Sequence, residues 1–277
     1  MFSGLYRKLL EEDCGYWEGA YGDIPKMLGL ARQARQRLKL EYYGIPFSLS
    51  IEAELMGAAV DCRTAGEPKI AAPPCLNLED FLDQCRRRPQ PASTRSAGVY
   101  PPPGGGQAPT LRITALIEVI SRLKSAEPQI PVIGSLTGPV TMLSRLVDSA
   151  QLFKAMAANP KLLHRALEEI TPRIIDFGRK QIEAGADFLV LGEPSANSRI
   201  LGPHHFAEFC SPYLTRIINS LGTNHIILHI CGQIEGILPE INKLPFSILS
   251  VEAGIDPSEI KSVLPHKTVL KSICGNG

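Results

Sequence analysis

Six short apolar runs recur along this chain, separated by stretches of helical periodicity. That alternation constrains the fold more than any other feature. The runs cover residues 45–51, 130–136, 187–191, 225–231, 246–251 and 268–273. Between them, residues 139–158, 160–184, 203–221 and 234–242 place apolar side chains at helical spacing. Proline stands at or near the first turn of several of these, where its missing N–H costs nothing. Asn159-Pro160 separates two helices. Strands alternating with helices imply a parallel sheet covered by helices. The 277 residues suit one α/β barrel domain, which commonly needs about 250. No internal repeat is visible.

Residues 86–109 break the pattern with RRRPQPASTRSAG followed by PPPGGGQAP. Such a stretch has too little apolar area to order itself, and it predicts a flexible loop. Its three glycines are not a phosphate loop, because no Lys-Ser/Thr follows and no strand precedes them. The formal net charge of +1 gives no reason to expect nucleic acid or an anionic membrane surface. No apolar run approaches the roughly 20 residues that span a bilayer. The first twelve residues mix charges with apolar residues and do not read as a signal peptide. Seven cysteines at irregular spacing read as reduced thiols of a cytoplasmic protein rather than a disulfide framework.

The segment His229-Ile230-Cys231-Gly232 closes an apolar run. Residues two apart on a strand share a face, so an imidazole and a thiol would stand side by side at a strand end. That is half of a tetrahedral nitrogen/sulfur zinc site. The plain alternative is a buried histidine and cysteine, each satisfied by packing and one hydrogen bond. In a barrel, the C-terminal ends of the strands carry the chemistry.

Other strand ends also carry polar groups. Glu252 closes the next run and could lend a replaceable carboxylate to a metal held by His229 and Cys231; it could equally be a solvated rim carboxylate. Cys274 ends the last run and by position could add a ligand. Glu193 and Ser195 follow the run 187–191, and Thr137-Gly138-Pro139 follows 130–136, where a helix start offers N–H groups to a ligand. Both are also ordinary ways to begin a helix. Glu52 and Glu54 follow 45–51, either facing the barrel mouth or forming the acidic first turn of a helix. The adjacent His204 and His205 open a helix with side chains expected to diverge.

Taken together, several segments resemble the uroporphyrinogen decarboxylase superfamily, and most closely its corrinoid methyltransferase branch, the methylcobalamin:coenzyme M methyltransferases. They are GYWEGAYGD at 15–23, IPFSLSIEAELMGA at 45–58, IPVIGSLTGPVTM at 130–142, AGADFLVLGEPSA at 184–196, GPHHFAEFCSPYL at 202–214, IILHICGQ at 226–233 and the final CGNG. The resemblance implies a (β/α)8 TIM barrel with its funnel at the C-terminal face. It implies zinc bound by His229 and Cys231, with Glu252 placed to offer a carboxylate. It implies a methyl group delivered from methylcobalamin on a corrinoid protein to a small thiol such as coenzyme M. The family opens with a strand before its GYWEGAYGD-like segment and continues past GNG into a strand carrying a third cysteine ligand. The expectation here is therefore a single domain trimmed at both ends, in which Cys274 is not that ligand. The alternatives are uroporphyrinogen decarboxylation, whose arginine motif Arg32-Gln33-Ala34-Arg35 echoes only faintly, and an inactive barrel.

Overall fold

The computed structural model describes residues 22–45, 50–56, 58–61, 69–70, 72–87, 109–252 and 255–271. In chain order the elements are α1 (Ile24–Arg37), β1 (Tyr43–Gly44), α2 (Ser50–Leu55), β2 (Val60–Asp61), β3 (Lys69–Ile70), α3 (Leu78–Arg87), α4 (Pro109–Ala126), β4 (Val132–Thr137), α5 (Pro139–Leu146), α6 (Ser149–Ala158) and α7 (Pro160–Glu183). They continue with β5 (Phe188–Gly192), α8 (Gly202–His205), a π turn (Phe206–Cys210), α9 (Ser211–Leu221), β6 (Ile226–His229), α10 (Leu238–Lys243), β7 (Ile248–Val251), α11 (Pro257–Val263) and β8 (Thr268–Lys271).

Six of the strands form one parallel sheet in the order β1-β4-β5-β6-β7-β8, while β2 and β3 make a small antiparallel pair. The expected α/β architecture is thus present. The strands are short and apolar because both faces are covered.

Side-chain direction follows from the neighbours of the glycines. A Cβ on Gly134 of β4 would lie 2.3 Å from the Gln181 amide oxygen of α7, and a Cβ on Gly178 would lie 3.0 Å from Leu136. The even-numbered residues of β4 therefore face α7. Alternation sends Ile133, Ser135 and Thr137 to the sheet's other face, the barrel interior. Parallel register extends that face across the sheet. Thr137 lies level with Gly192, Gly192 with His229, and His229 with Ser250.

Polar side chains hold this register at both ends of β4. The Asp187 carboxylate accepts the Val132 N–H at 2.8 Å and pairs with Lys124 at 2.8 Å. Further along, the buried Gln181 amide bonds to the backbone of Ser135. Its oxygen accepts the Ser135 N–H at 3.2 Å and its nitrogen donates to the Ser135 carbonyl at 3.0 Å.

Several sequence expectations need correction. The run 45–51 is not a strand throughout. Ile45 still donates to Ile133, residues 46–49 lie outside the described residues, and Ser50 already begins α2, whose Glu, Ala and Leu favour helix. The stretch 139–158 is two helices, because Val147 is extended and Asp148 caps α6 through the Gln151 N–H. The stretch 203–221 widens at Phe206–Cys210. Pro212 has no N–H to return to Glu208, and Ser211 donates five residues back to Phe206 instead. Residues 234–242 begin as a 3-10 turn, Glu235–Ile237, before α10. Arg86 and Arg87 lie in α3 and Pro109 starts α4, so only residues 88–108 of the expected loop are outside the described residues. His204 and His205 do not diverge; their rings stack at 5.5 Å.

Replacing Gln181 with Leu should leave the Ser135 N–H and carbonyl unanswered, costing about 1–3 kcal/mol per orphaned group. Gly134→Ala, which drives a methyl into the same amide, should destabilise comparably. Urea unfolding of both variants checks this, and midpoints equal to wild type would show that the clamp carries no stability.

Candidate functional site

His229 ends β6 on the interior face and is 3% exposed. Its Nδ1 lies 3.1 Å from the Ser250 carbonyl oxygen and 3.1 Å from the Ser250 hydroxyl. A carbonyl can only accept, so this contact puts the proton on Nδ1 and leaves Nε2 with a lone pair. That lone pair meets Cys231, whose Sγ is 2.9 Å away. Burial lowers the His229 pKa to about 4, so the ring is neutral near pH 7. A neutral imidazole with Nδ1 bonded to a backbone carbonyl is the form that ligates metal ions through Nε2.

Cys231 lies two residues beyond the ladder and is half-buried, followed by Gly232 at φ 81°. The strand ends earlier than expected, yet the two side chains meet. Their nitrogen/sulfur chemistry fits zinc. Among the described residues, no group of three His, Cys, Asp or Glu side chains is placed to hold a metal ion. Glu252, two residues past Ser250, is therefore not brought to the pair, and Cys274 lies outside the described residues.

Glu193 sits beside the pair through the backbone, its N–H donating to the His229 carbonyl at 2.9 Å. Its side chain turns the other way and is fully buried. One carboxylate oxygen accepts the Val140 N–H at 3.1 Å, and the other accepts the Thr141 N–H at 2.7 Å and the Thr141 hydroxyl. The N–H groups expected to be free at the start of α5 are thus taken by a carboxylate of this chain. Burial raises Glu193 to about 7, against the pull of Thr141, Val140 and Arg145. Gly138 makes room for it: a Cβ there would lie 2.3 Å from Glu193 Oε2. Ser195 continues this joint, its N–H donating to the Thr141 hydroxyl at 3.0 Å and its own hydroxyl 3.3 Å from that of Ser144. The geometry of Glu193 and Ser195 is that of a helix start.

Glu52 differs. It lies in the first turn of α2, as one sequence alternative held, and is 2% exposed. Its Oε2 accepts the Thr137 N–H at 2.6 Å. Burial raises its pKa to about 7, opposed by Thr137 and by the Arg145 charge. Glu54 faces another way and pairs with Arg112 at 2.6 Å.

Sequence reasoning missed Ser135, Thr141, Gln181 and Ser250. Alternation along β7 could have flagged Ser250, a hydroxyl two residues from Ile248 on a strand; the others reveal themselves only through partners distant in the chain.

A family profile described as uroporphyrinogen decarboxylase matches residues 5–276. The methylcobamide:CoM methyltransferase MtaA of Methanosarcina barkeri is 28% identical over 268 residues, covering 95% of this chain and 73% of that protein. The uroporphyrinogen decarboxylase of Aquifex aeolicus is 32% identical over 112 residues, 38% of this chain and 32% of that one. A solved methyltransferase from Methanosarcina mazei superposes with a TM-score of 0.78 at 24% identity, covering 96% of this chain and 74% of that chain, a likeness of fold.

The raised Glu52 predicts a pH signature. The unfolded carboxyl ionises near 4.5 and the folded one near 7, so the folded state holds the extra proton in between. The stability share of this group is full below pH 4.5 and declines as pH rises to about 7, by up to about 3 kcal/mol. Urea melts between pH 4.5 and 7.5 should show Glu52→Gln with a flatter profile than wild type; parallel profiles would place the Glu52 pKa near its ordinary value.

Proposed function

The chain belongs to the uroporphyrinogen decarboxylase family, and on that premise we propose that it is a zinc-dependent methyltransferase. It moves a methyl group from a methylated corrinoid protein to a small thiol such as coenzyme M. The observation that carries this reading is the juxtaposition of His229 Nε2 and Cys231 Sγ at 2.9 Å, with Nδ1 turned to Ser250. The names of relatives such as the methylcobamide:CoM methyltransferase MtaA support the same class of chemistry.

His229 and Cys231 would hold the metal. A bound zinc ion would lower the pKa of an incoming thiol, which otherwise lies near 8.5, and keep the sulfur nucleophilic at neutral pH. The chain's own part is to present a neutral imidazole in one tautomer and a thiol that gives up its proton when the metal arrives. Ser250 fixes the ring plane, so Nε2 has no alternative orientation. The substrate sulfur then attacks the methyl carbon. A carbon–sulfur bond forms, the carbon–cobalt bond of the donor breaks with its electron pair left on cobalt, and the thiol proton passes to water. Metal-free decarboxylation by the same barrel would make no use of the His229–Cys231 pair.

The protein purified without chelator should contain about one zinc ion per chain by mass spectrometry, and Cys231→Ser little. Methyl transfer from methylcobalamin to coenzyme M should fall by several orders of magnitude after zinc removal and return on adding zinc back. Full zinc retained in Cys231→Ser, or methyl transfer indifferent to chelation, would overturn the assignment.

A further inference from the structure

Cys231 lies beyond the sheet pairing. The β6–β7 ladder ends with His229 opposite Ser250, two residues before it. The loop that follows β5 bonds to the chain on both sides of this cysteine. Before it, the Glu193 N–H donates to the His229 carbonyl at 2.9 Å. After it, the Ser198 N–H donates to the Gln233 carbonyl at 2.8 Å. The thiol thus sits on a short span of chain anchored at each end to the neighbouring loop.

Side chains tighten this bracket. Asn197 lies against Gly232, the residue after the thiol: a Cβ on Gly232 would meet the Asn197 Nδ2 at 3.1 Å. The Asn197 Oδ1 accepts the Arg199 N–H and the Ile200 N–H, each at 3.1 Å, and its Nδ2 donates to the Pro194 carbonyl at 3.2 Å. These three bonds shape the turn that presents Arg199. The Arg199 Nε then donates to Gln233 Oε1 at 2.9 Å, a charge-assisted bond to the residue two past the cysteine. Gly232 itself takes φ 81°, a conformation glycine adopts without penalty. Ordering a segment that contains glycine costs conformational entropy, and a ligand group ordered in advance avoids that cost when the metal binds.

We propose that Asn197, Arg199 and Gln233 are positioning residues for Cys231, holding its span of chain so that Sγ already stands beside His229 Nε2 when a metal ion arrives. They act through the chain on either side of the cysteine rather than as ligands. The purpose assigned to the bracket rests on the methyl-transfer reading above; the hold on the thiol does not. Arg199 and Gln233 are exposed, so their bond adds little to global stability, and its loss is felt at the thiol rather than in unfolding.

The test has two arms, both on the full chain. In the first, zinc affinity is measured by competition with a chromophoric chelator, and cobalt(II) in place of zinc reports the cysteine-to-metal charge-transfer absorption. Arg199→Ala, Gln233→Ala and Asn197→Ala should each weaken zinc about tenfold, as removal of a group that orients a metal ligand does, and should lower that absorption. Gln233→Glu, which keeps an oxygen for Arg199, should retain the affinity of wild type. Arg199 and Gln233 share one bond, so the double alanine variant should bind zinc no more weakly than either single variant. In the second arm the metal-free chain is treated with iodoacetamide, and mass spectrometry of the peptide that contains Cys231 gives its alkylation rate. That rate should rise severalfold in the three alanine variants and stay at the wild-type value in Gln233→Glu, with urea midpoints unmoved throughout. Zinc affinity and alkylation rate both unchanged in the alanine variants would overturn the proposal, as would losses that only track a lowered urea midpoint. A wild type that takes up no zinc, with alkylation rates that change as expected, would sustain the bracket and sink the methyl-transfer reading instead.

Discussion

The parallel register of β4, β5, β6 and β7 is the constraint on which the site depends. It places Thr137, Gly192, His229 and Ser250 on one interior level. A slip of one residue in any of these strands would turn its interior set toward the helices. His229 would then meet α7 or α9 instead of Ser250 and Cys231. Apolar packing alone tolerates such slips poorly but does not name the register. The naming is done by side chains that bond to backbone across the sheet: Asp187 to Val132, Gln181 to Ser135, and His229 to Ser250.

Three buried side chains near the strand ends bond to backbone distant in the chain. Gln181 makes both of its backbone bonds to Ser135 and completes a ladder position. Glu193 uses both carboxylate oxygens at the head of α5 and leaves nothing over. Glu52 answers the Thr137 N–H at the end of β4 and feels the Arg145 charge. Burial is nearly the same for all three, so burial by itself does not mark a functional group.

Much of the fold was legible because hydrophobic periodicity is a local property of the chain. Five of the six expected runs contain a strand of the sheet, displaced by a residue or two at their ends. The exception is 45–51, where Ile45 bonds to β4, residues 46–49 lie outside the described residues, and Ser50 and Ile51 already belong to α2. Helix interruptions were missed where the cause was a single residue, Asp148 as a cap or Pro212 as an absent donor. The His229–Cys231 contact was legible because its two members are two residues apart. Ser135 and Gln181 were not, since their meaning comes from partners 46 residues apart. The division follows sequence distance: short-range pairs can be read from spacing, and long-range hydrogen bonds require the register first.

The position of Gly192 draws these strands of argument together. A glycine inside a strand gives up packing and adds conformational entropy to the unfolded chain, so its presence needs a compensating reason. Its neighbours across the sheet on this level are Thr137 and His229, both buried, both polar. A side chain at 192 would project between them on the interior face. The backbone on either side stays bonded, with Gly138 donating to Gly192 and Glu193 donating to His229. The rigidity of this level comes from the ladder and its polarity from the strand ends. The same register that fixes the fold therefore also fixes how far Thr137 stands from His229.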